Sequence, residues 1–164
     1  MVPQILQVLG DTLRGHNVPV GKVLEVGSRD VNGTPRSIFQ QHAETYLGID
    51  LEAGAGCDQV LNAERLTEFF PYRHFDTVIC TETLEHCVRP WLVVEEMKKV
   101  LKTGGHLWVS TPTFGFPLHR YPIDCYRFGE DAYRLWLFDG MELLMLQEIK
   151  SEHDNPILVA VGRK

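Results

Sequence analysis

Four residues that could carry chemistry follow apolar segments that resemble β-strands. Asp50 ends one such segment, and Glu82, Glu85 and His86 come directly after another. In a sheet of parallel strands these positions meet at one edge, and ligands bind at that edge. A carboxylate there can accept hydrogen bonds from ligand hydroxyls, and a histidine can exchange a proton near neutral pH. The sequence therefore predicts a functional site at the carboxyl ends of the strands.

Glu82, Glu85 and His86 also form an E-x-x-E-H pattern. Residues that are three and four positions apart share one face if the segment turns as a helix. Two carboxylates and an imidazole on one face could hold a divalent cation such as Mg²⁺ or Mn²⁺. A metal site is therefore one of the hypotheses that the pattern raises.

A glycine-containing turn, residues 27–33, follows the first predicted strand, 23–26. Gly27 has no Cβ, so the backbone can approach a ligand closely, and the turn leads into a helix N-terminus with free N–H donors. Asp50 lies 23 residues beyond Gly27, where a carboxylate can accept both hydroxyls of a ribose. Together these features favour a nucleoside-containing ligand over a turn that merely connects two elements.

The segment 112–128 is a 17-residue stretch that is rich in aromatic, proline and charged residues. It lies on the predicted ligand edge, and connectors of this length are more often functional than idle. An alternative is that Asp124 and Arg127 pair only to brace the loop. The candidate substrate-side residues are Tyr121, Asp124, Tyr126 and Arg127.

The elements that must position these residues alternate between strand and helix along the chain. Thr34 is a predicted helix cap before Pro35, and Gly104 and Gly105 are predicted to end the helix that Pro90 begins. Five strand-then-helix units predict a mostly parallel sheet with both faces covered. The last two strands are joined by too short a segment for a parallel crossover, so they must pair antiparallel if they are neighbours. The predicted strands are 23–26, 46–49, 59–61, 75–81, 106–111, 144–149 and 157–161, and the predicted helices are 3–13, 35–43, 90–103 and 129–138.

Composition narrows the function classes. Sixteen basic and 22 acidic residues give a net charge of −6, which argues against a surface that binds nucleic-acid phosphates broadly. No apolar run approaches the length of a membrane span, and the N-terminus does not resemble a secretory signal, so we expect a cytoplasmic protein. The four cysteines show no metal-binding spacing and are expected to be reduced structural thiols. We treat residues 1–164 as one domain, with an N-terminal helix within 1–21.

Five motifs stand in order along the chain: Val23–Ser28, Tyr46–Asp50, Phe75–Cys80, Leu84–His86 and Val100–Gly105. Together they resemble those of class I S-adenosylmethionine-dependent methyltransferases, most closely the small type 11 branch. Their order and spacing are more specific than any single motif, and the resemblance covers nearly the whole chain. It implies an α/β fold with three layers, Rossmann-like, in which a seven-stranded, mostly parallel sheet with an antiparallel C-terminal strand carries helices on both faces.

The resemblance implies that the chain binds S-adenosylmethionine and releases S-adenosylhomocysteine. Glu25 would face the methionine end of this cofactor, and the backbone of Gly27 and Ser28 would pass beside it. Asp50 would hold the ribose hydroxyls, with Leu51 against the adenine.

Further cofactor contacts come from the ends of the third and fourth predicted strands and from one unusual residue. Arg29 stands where the family often repeats glycine, and its side chain either points outward or contacts the cofactor carboxylate. The remaining implied cofactor-binding residues are Asn62, Ala63 and Glu64 near the adenine amino group, and Thr81 and Glu82 beneath the methionine.

Methyl transfer from a sulfonium needs chiefly proximity and alignment, and a hydroxyl acceptor also needs a base. His86 and His119 are the two histidines on the predicted ligand edge and are therefore the candidate catalytic bases. The pattern also resembles metal-using O-methyltransferases, including those of ubiquinone biosynthesis and of small-RNA 2′-O-methylation, in which a later histidine helps. That comparison would add His119 to Glu82, Glu85 and His86 as metal ligands, but E-H pairs are widespread in metal-free relatives, so a divalent metal is not favoured.

We expect the acceptor to be an oxygen or nitrogen of a small molecule or a glycan-like compound, since 112–128 also looks like a segment of small methyltransferases from glycan-related settings. The first helix, this loop, a homo-oligomer or a partner chain would recognise it. Three alternatives stay open: an RNA 2′-O-methyltransferase with a divalent metal, a non-catalytic methyltransferase-like subunit, and a nicotinamide-dependent oxidoreductase. The oxidoreductase would need a Gly-x-Gly-x-x-Gly turn, and this chain has Gly27 and Gly33 without the middle glycine.

Overall fold

A computed structural model describes residues 3–15 and 18–164, and its centre is one seven-stranded sheet. The predicted helix at the N-terminus is present, although residues 1, 2, 16 and 17 of that segment, His16 among them, lie outside the described residues. The strands are β1 (Gly21–Val26), β2 (Ala43–Asp50), β3 (Gln59–Val60), β4 (Phe75–Thr81), β5 (Leu101–Pro112), β6 (Glu142–Lys150) and β7 (Pro156–Arg163). The helices are α1 (Pro3–Gly15), α2 (Arg36–Phe39), α3 (Pro90–Val100) and α4 (Glu130–Ala132), which continues as a π-helical turn, Tyr133–Leu137.

The strand order is β3-β2-β1-β4-β5-β7-β6. The strands β1, β2, β3, β4 and β5 pair in parallel, and β7 is antiparallel to both β5 and β6. The predicted antiparallel hairpin is thereby confirmed, with Ile149 opposite Ile157. The order reverses between β1 and β4, and ligands of open α/β sheets bind beside such a reversal, outside the carboxyl ends of the strands.

Two hydrophobic cores, one on each face of the sheet, confirm the three-layer architecture. On one face, Ile5 and Leu9 of α1 pack with the sheet residue Trp108, whose ring lies edge-on to Phe39 at 5.1 Å between centroids. On the other face, α3 contributes its buried residues, among them Met97. Because both faces are covered, β1 is a continuous buried run from Val23 to Val26 rather than an alternating one.

The junction between α3 and β5 differs from the prediction. The helix ends at Val100, and the strand begins at Leu101 instead of His106. Leu101 is fully buried and pairs with Phe75, which draws it into the sheet. Gly104 then adopts a φ of +79° within the strand, a conformation that glycine adopts without strain.

The prediction of a helix after every parallel strand was also wrong. β2 is followed by an irregular segment, residues 51–58, in which Gly56 has a φ of +82°. After β3 the chain forms only a 3₁₀-helical stretch, Ala63–Glu68. β3 itself is short and pairs with β2 through only two residues. Within the described ranges, no helix combines the length and apolar character that crossing a membrane requires.

We expect Trp108→Ala to lower the free energy of unfolding by about 3–5 kcal/mol, because it empties the centre of the core beside α1 and α2. Urea unfolding followed by circular dichroism measures this loss. Leu135→Ala serves as the control, since Leu135 is 77% exposed and should change stability by less than about 0.5 kcal/mol. Equal effects of the two substitutions would contradict the assignment of this core.

Candidate active site

The turn after β1 is tied to β2 and packs against the segment that follows β4. The backbone N–H groups of Gly27 and Ser28 both donate to the carbonyl of Ile49, at 2.9 and 3.0 Å. Gly27 has a φ of +74°, and a Cβ at this position would collide with the side chain of Thr83. Only glycine can therefore bring the turn this close to the end of β4.

Asp50, at the end of β2, is held by the same turn. Its two carboxylate oxygens accept one hydrogen bond each, from the backbone N–H of Arg29 at 3.2 Å and from that of Glu52 at 3.1 Å. A carboxylate offers about four lone-pair positions, so Asp50 keeps acceptor capacity for further hydroxyls. Leu51, beside it, is 68% exposed and presents an apolar surface to solvent.

The turn after β1 also contains a buried hydroxyl without a partner. Ser28 is buried, and among the residues that the structure describes its hydroxyl has no hydrogen-bond partner. Buried polar groups usually have a partner, so an unpaired hydroxyl here is unusual. The hydroxyl faces β2, because a Cβ built at Gly48 would lie 2.7 Å from it. Contact of Ser28 and Asp50 with a ribose remains a prediction.

The predicted adenine-side residues follow β3. The side chain of Asn62 accepts the backbone N–H of Glu64 at 2.9 Å and so begins the 3₁₀-helical stretch. Glu64 forms an ion pair with Arg89, and Ala63 is half-buried. Their contact with an adenine amino group remains a prediction.

Glu25 is buried in β1 and depends on hydroxyl donors from neighbouring segments. Tyr46 donates to its carboxylate at 2.8 Å and Thr34 at 3.1 Å. Burial raises the pKa of Glu25 to about 7 despite these bonds. The sequence analysis did not identify Tyr46 as a partner of Glu25. The strand register explains the contact, because Glu25 lies opposite Gly48 in β2. Tyr46 is two residues before Gly48 and therefore lies on the same face of the sheet.

Arg29 points away from the turn, as one of its two predicted orientations required. Its guanidinium forms an ion pair with Glu52 and donates to the hydroxyl of Tyr121 at 3.0 Å. The side chain therefore links the turn after β1 to the loop 112–128. Contact between Arg29 and a cofactor carboxylate remains a prediction.

Thr81 and Glu82 lie where β4 turns away from the sheet. Thr81 is buried, and Glu82 has a φ of +50°, which is uncommon for a residue with a side chain. The carboxylate of Glu82 accepts the hydroxyl of Ser110 in β5 at 3.0 Å, a partner that sequence reasoning missed. Burial, followed by the nearby charge of Glu85, raises the pKa of Glu82 to about 8.

Three of the four predicted metal-ligating residues come together beside this turn. The Glu85 side chain is fully buried, and its Oε1 lies 3.5 Å from Nε2 of His86 and 3.5 Å from Nε2 of His119. One ligand atom from each of the three lies within 4.8 Å of the others. Burial raises the pKa of Glu85 to about 7. Glu82, the fourth predicted ligand, is directed to Ser110 instead.

The loop 112–128 is braced from within. Arg127 binds both oxygens of the buried Asp124 and also donates to the carbonyls of Phe116 and Pro117. Asp124 accepts the backbone N–H of His119 at 2.7 Å, and Arg127 holds the pKa of Asp124 well below its usual range. These contacts support the alternative that Asp124 and Arg127 pair to brace the loop. The same pair also positions His119, through the bond from its backbone to Asp124.

The tyrosines of the same loop have different neighbours. Tyr126 donates to the carbonyl of Val88 at 3.1 Å, which ties the loop to the segment before α3. Tyr121 is half-exposed and contacts Arg29. Of the four substrate-side candidates, Tyr121 is therefore the one that lies at the surface beside the turn after β1.

Comparison with known proteins decides the family. A family model described as a methyltransferase domain matches residues 24–109, just over half of the chain. The chain belongs to this methyltransferase family. The resemblance to class I S-adenosylmethionine-dependent methyltransferases that the motifs indicated is thereby confirmed, and the match favours this reading over the nicotinamide-dependent oxidoreductase.

Relatives of this methyltransferase domain include O-methyltransferases. A ubiquinone biosynthesis O-methyltransferase of Photobacterium profundum is 35% identical over 88 residues, covering 53% of this chain and 34% of that protein. The chain spans about a third to a half of the length of the curated relatives that it matches.

Solved structures show that the fold is shared. One is the 1,6-didemethyltoxoflavin-N1-methyltransferase of Burkholderia thailandensis with S-adenosylhomocysteine (TM-score 0.79, 14% identity, 98% of this chain and 78% of that chain). Another is the N-methyltransferase NodS of Bradyrhizobium japonicum with S-adenosylhomocysteine (TM-score 0.73, 16% identity, 98% of this chain and 85% of that chain).

The raised pKa of Glu25 predicts how stability depends on pH. The folded methyltransferase domain keeps this proton up to about pH 7, whereas the unfolded chain releases it near 4.5, so stability falls as pH rises between these values. Glu25→Gln keeps an acceptor for Tyr46 and Thr34 but removes the charge. We expect the variant to lose less stability than the native chain between pH 5 and 8, by on the order of 2 kcal/mol.

Urea unfolding at both pH values measures this difference. Glu44→Gln, at an exposed position of β2, is the matched control and should follow the native pH profile. Parallel profiles for the native chain and Glu25→Gln would show that Glu25 ionises normally in the folded state.

Proposed function

We propose that this domain transfers a methyl group from S-adenosylmethionine to a hydroxyl oxygen of a small molecule. The observation that carries the proposal is the convergence, at one edge of the sheet, of the Asp50 turn with the cluster of Glu85, His86 and His119. The Asp50 turn is suited to binding a nucleoside, and the cluster is suited to accepting a proton from the methyl acceptor. An O-methyltransferase among the relatives favours oxygen over nitrogen as the acceptor.

The chain's first task is to hold and orient the cofactor. Asp50 would accept the ribose hydroxyls, Ser28 would complete the polar contacts, and Glu25 would face the methionine end. Leu51 provides the apolar surface for the adenine. When bound, S-adenosylmethionine supplies an activated methyl carbon, so the protein needs no covalent nucleophile and contributes mainly alignment.

The second task is removal of the acceptor proton. His119 is one-third exposed, which leaves its ring accessible from the crevice, and its position is set by the bond from its backbone to Asp124. Its Nδ1 lies 3.3 Å from Asp124 and its Nε2 lies 3.5 Å from Glu85, so the ring is flanked by two carboxylates. His119 would therefore take the proton of the acceptor hydroxyl, with His86 beside it at 4.9 Å between ring centroids.

Asp50→Ala is expected to weaken S-adenosylhomocysteine binding by about tenfold to 100-fold, because it removes hydrogen bonds to a charged acceptor. Isothermal titration calorimetry measures the dissociation constant. Asp131→Ala, at an exposed position within α4, is the matched control and should bind as the native chain does. An unfolding curve for each variant separates loss of affinity from loss of fold, and unchanged affinity of a folded Asp50→Ala would overturn the cofactor site.

His119→Ala is expected to lower kcat by about 10²–10⁴-fold while the dissociation constant of S-adenosylhomocysteine stays within about twofold, because the residue serves the acceptor and not the cofactor. A panel of small hydroxylated acceptors with tritiated S-adenosylmethionine supplies the assay. A variant that turns over as fast as the native enzyme would remove His119 from the reaction.

A further inference from the structure

Arg29 joins three segments at the edge of the sheet: its own turn, the end of β2 and loop 112–128. Its backbone N–H donates to one carboxylate oxygen of Asp50 at 3.2 Å. Its guanidinium forms an ion pair with Glu52 and donates to the hydroxyl of Tyr121 at 3.0 Å. The guanidinium also lies over the ring of Tyr121, 5.7 Å from its centroid, which is a cation–π distance. One residue therefore connects the predicted ribose site to the predicted substrate-side loop.

Glu52, the partner of Arg29 in the ion pair, is tied to the same carboxylate. Its backbone N–H donates to the second oxygen of Asp50 at 3.1 Å. The methylene groups of Arg29 pack over Gly54, where a Cβ would lie only 3.1 Å from Cγ of the arginine. An isolated ion pair at the surface contributes little, but in this pair Asp50 holds the backbone of both partners. The guanidinium is therefore oriented toward Tyr121 by the residue that is predicted to bind the ribose.

Tyr121 is two residues beyond His119, the base of the proposed function, and it is half-exposed. Within the loop, Asp124 fixes the backbone of His119. Arg29 adds a restraint from a different part of the chain, because it holds the hydroxyl of Tyr121. A contact that fixes Tyr121 therefore also restrains the backbone next to His119.

We propose that Arg29 and Tyr121 are positioning residues that couple the cofactor side of the site to its acceptor side. This inference rests on the proposed function, in which ribose hydroxyls bind to Asp50. A bound ribose immobilises the carboxylate and, through it, the backbone of Arg29 and Glu52. The guanidinium then loses less conformational freedom when it holds Tyr121, and this saving is the source of the coupling. Loop 112–128 is thereby ordered by the cofactor, and the acceptor binds second.

Hydrogen–deuterium exchange of the full chain, with and without S-adenosylhomocysteine, tests the coupling. In the native chain the ligand should slow exchange at residues 27–30 and also at residues 118–121, in the loop by about two- to fivefold, which is what one net hydrogen bond supplies. In Tyr121→Phe the slowing in the loop should be lost, whereas the slowing at residues 27–30 should remain. Tyr72→Phe is the matched control, since it makes the same change at an exposed tyrosine before β4, and it should behave as the native chain does.

A double-substitution cycle in the affinity for S-adenosylhomocysteine gives a second readout. Coupling is reciprocal, so Tyr121→Phe should weaken binding of this ligand by about two- to fivefold. Arg29→Met keeps the packing over Gly54, removes the guanidinium and should also weaken binding. In the Arg29→Met background, Tyr121→Phe should have no further effect, because the contact is already lost. Isothermal titration calorimetry measures the affinities, and an unfolding curve shows that each variant is folded.

Three results would overturn the coupling while leaving the proposed function in place, because in each of them S-adenosylhomocysteine still binds. They are unchanged exchange in the loop of the liganded native chain, equal slowing in the native chain and Tyr121→Phe, and additive effects in the cycle. Equal slowing is also the result expected if Tyr121 only braces the loop. A native chain that binds no S-adenosylhomocysteine would overturn the proposed function together with this inference.

Discussion

The parallel pairing of β1 with β4 is the constraint on which the rest of the site depends. Val26 lies opposite Cys80, so both strands end at the same level, and the turn at Gly27 leaves the sheet beside the segment that begins with Thr81. The pairing of β1 with β2 brings Asp50 to the same edge. Parallel strands share a direction, so their carboxyl ends lie at one edge of the sheet. Strand pairing alone therefore brings together residues that are more than 50 positions apart in sequence.

Buried carboxylates at this edge are stabilised in three different ways. Glu25 is surrounded by hydroxyl donors, Glu82 is bonded to a serine of the neighbouring strand, and Glu85 faces two imidazoles. Burial raises the pKa of all three. Burying carboxylates costs folding free energy. Such a cost is typical of functional sites, where groups with shifted pKa values are retained for chemistry rather than for stability.

The sequence was sufficient for the order of the strands and for the edge of the sheet that carries the candidate site, because hydrophobic period and strand-end polarity are local signals. Pro90 at the start of α3 and the antiparallel β6–β7 hairpin followed from such signals. The start of β5 did not, because Leu101 joins the sheet through its pairing with Phe75, which is a tertiary contact. The two glycines at 104 and 105 favoured a helix end where the structure has a strand.

Within the site, the sequence placed candidate residues correctly at the edge but could not assign their partners. E-x-x-E-H spacing predicted two carboxylates on one face, whereas the left-handed backbone at Glu82 turns its side chain toward Ser110. Arg29 could not be oriented from the sequence, since its contacts with Glu52 and Tyr121 come from segments that only the fold brings near. The roles of these residues toward a cofactor remain predictions.

The ion pair inside loop 112–128 fixes the shape of the loop without involving its exposed side chains. Arg127 and Asp124 fix the path of the backbone from the inside, while Phe114 and Leu118 are 72% and 62% exposed. Exchanges at these outer positions leave the internal ion pair intact. Sequence diversity can therefore be introduced at the exposed positions of this loop without rebuilding its scaffold.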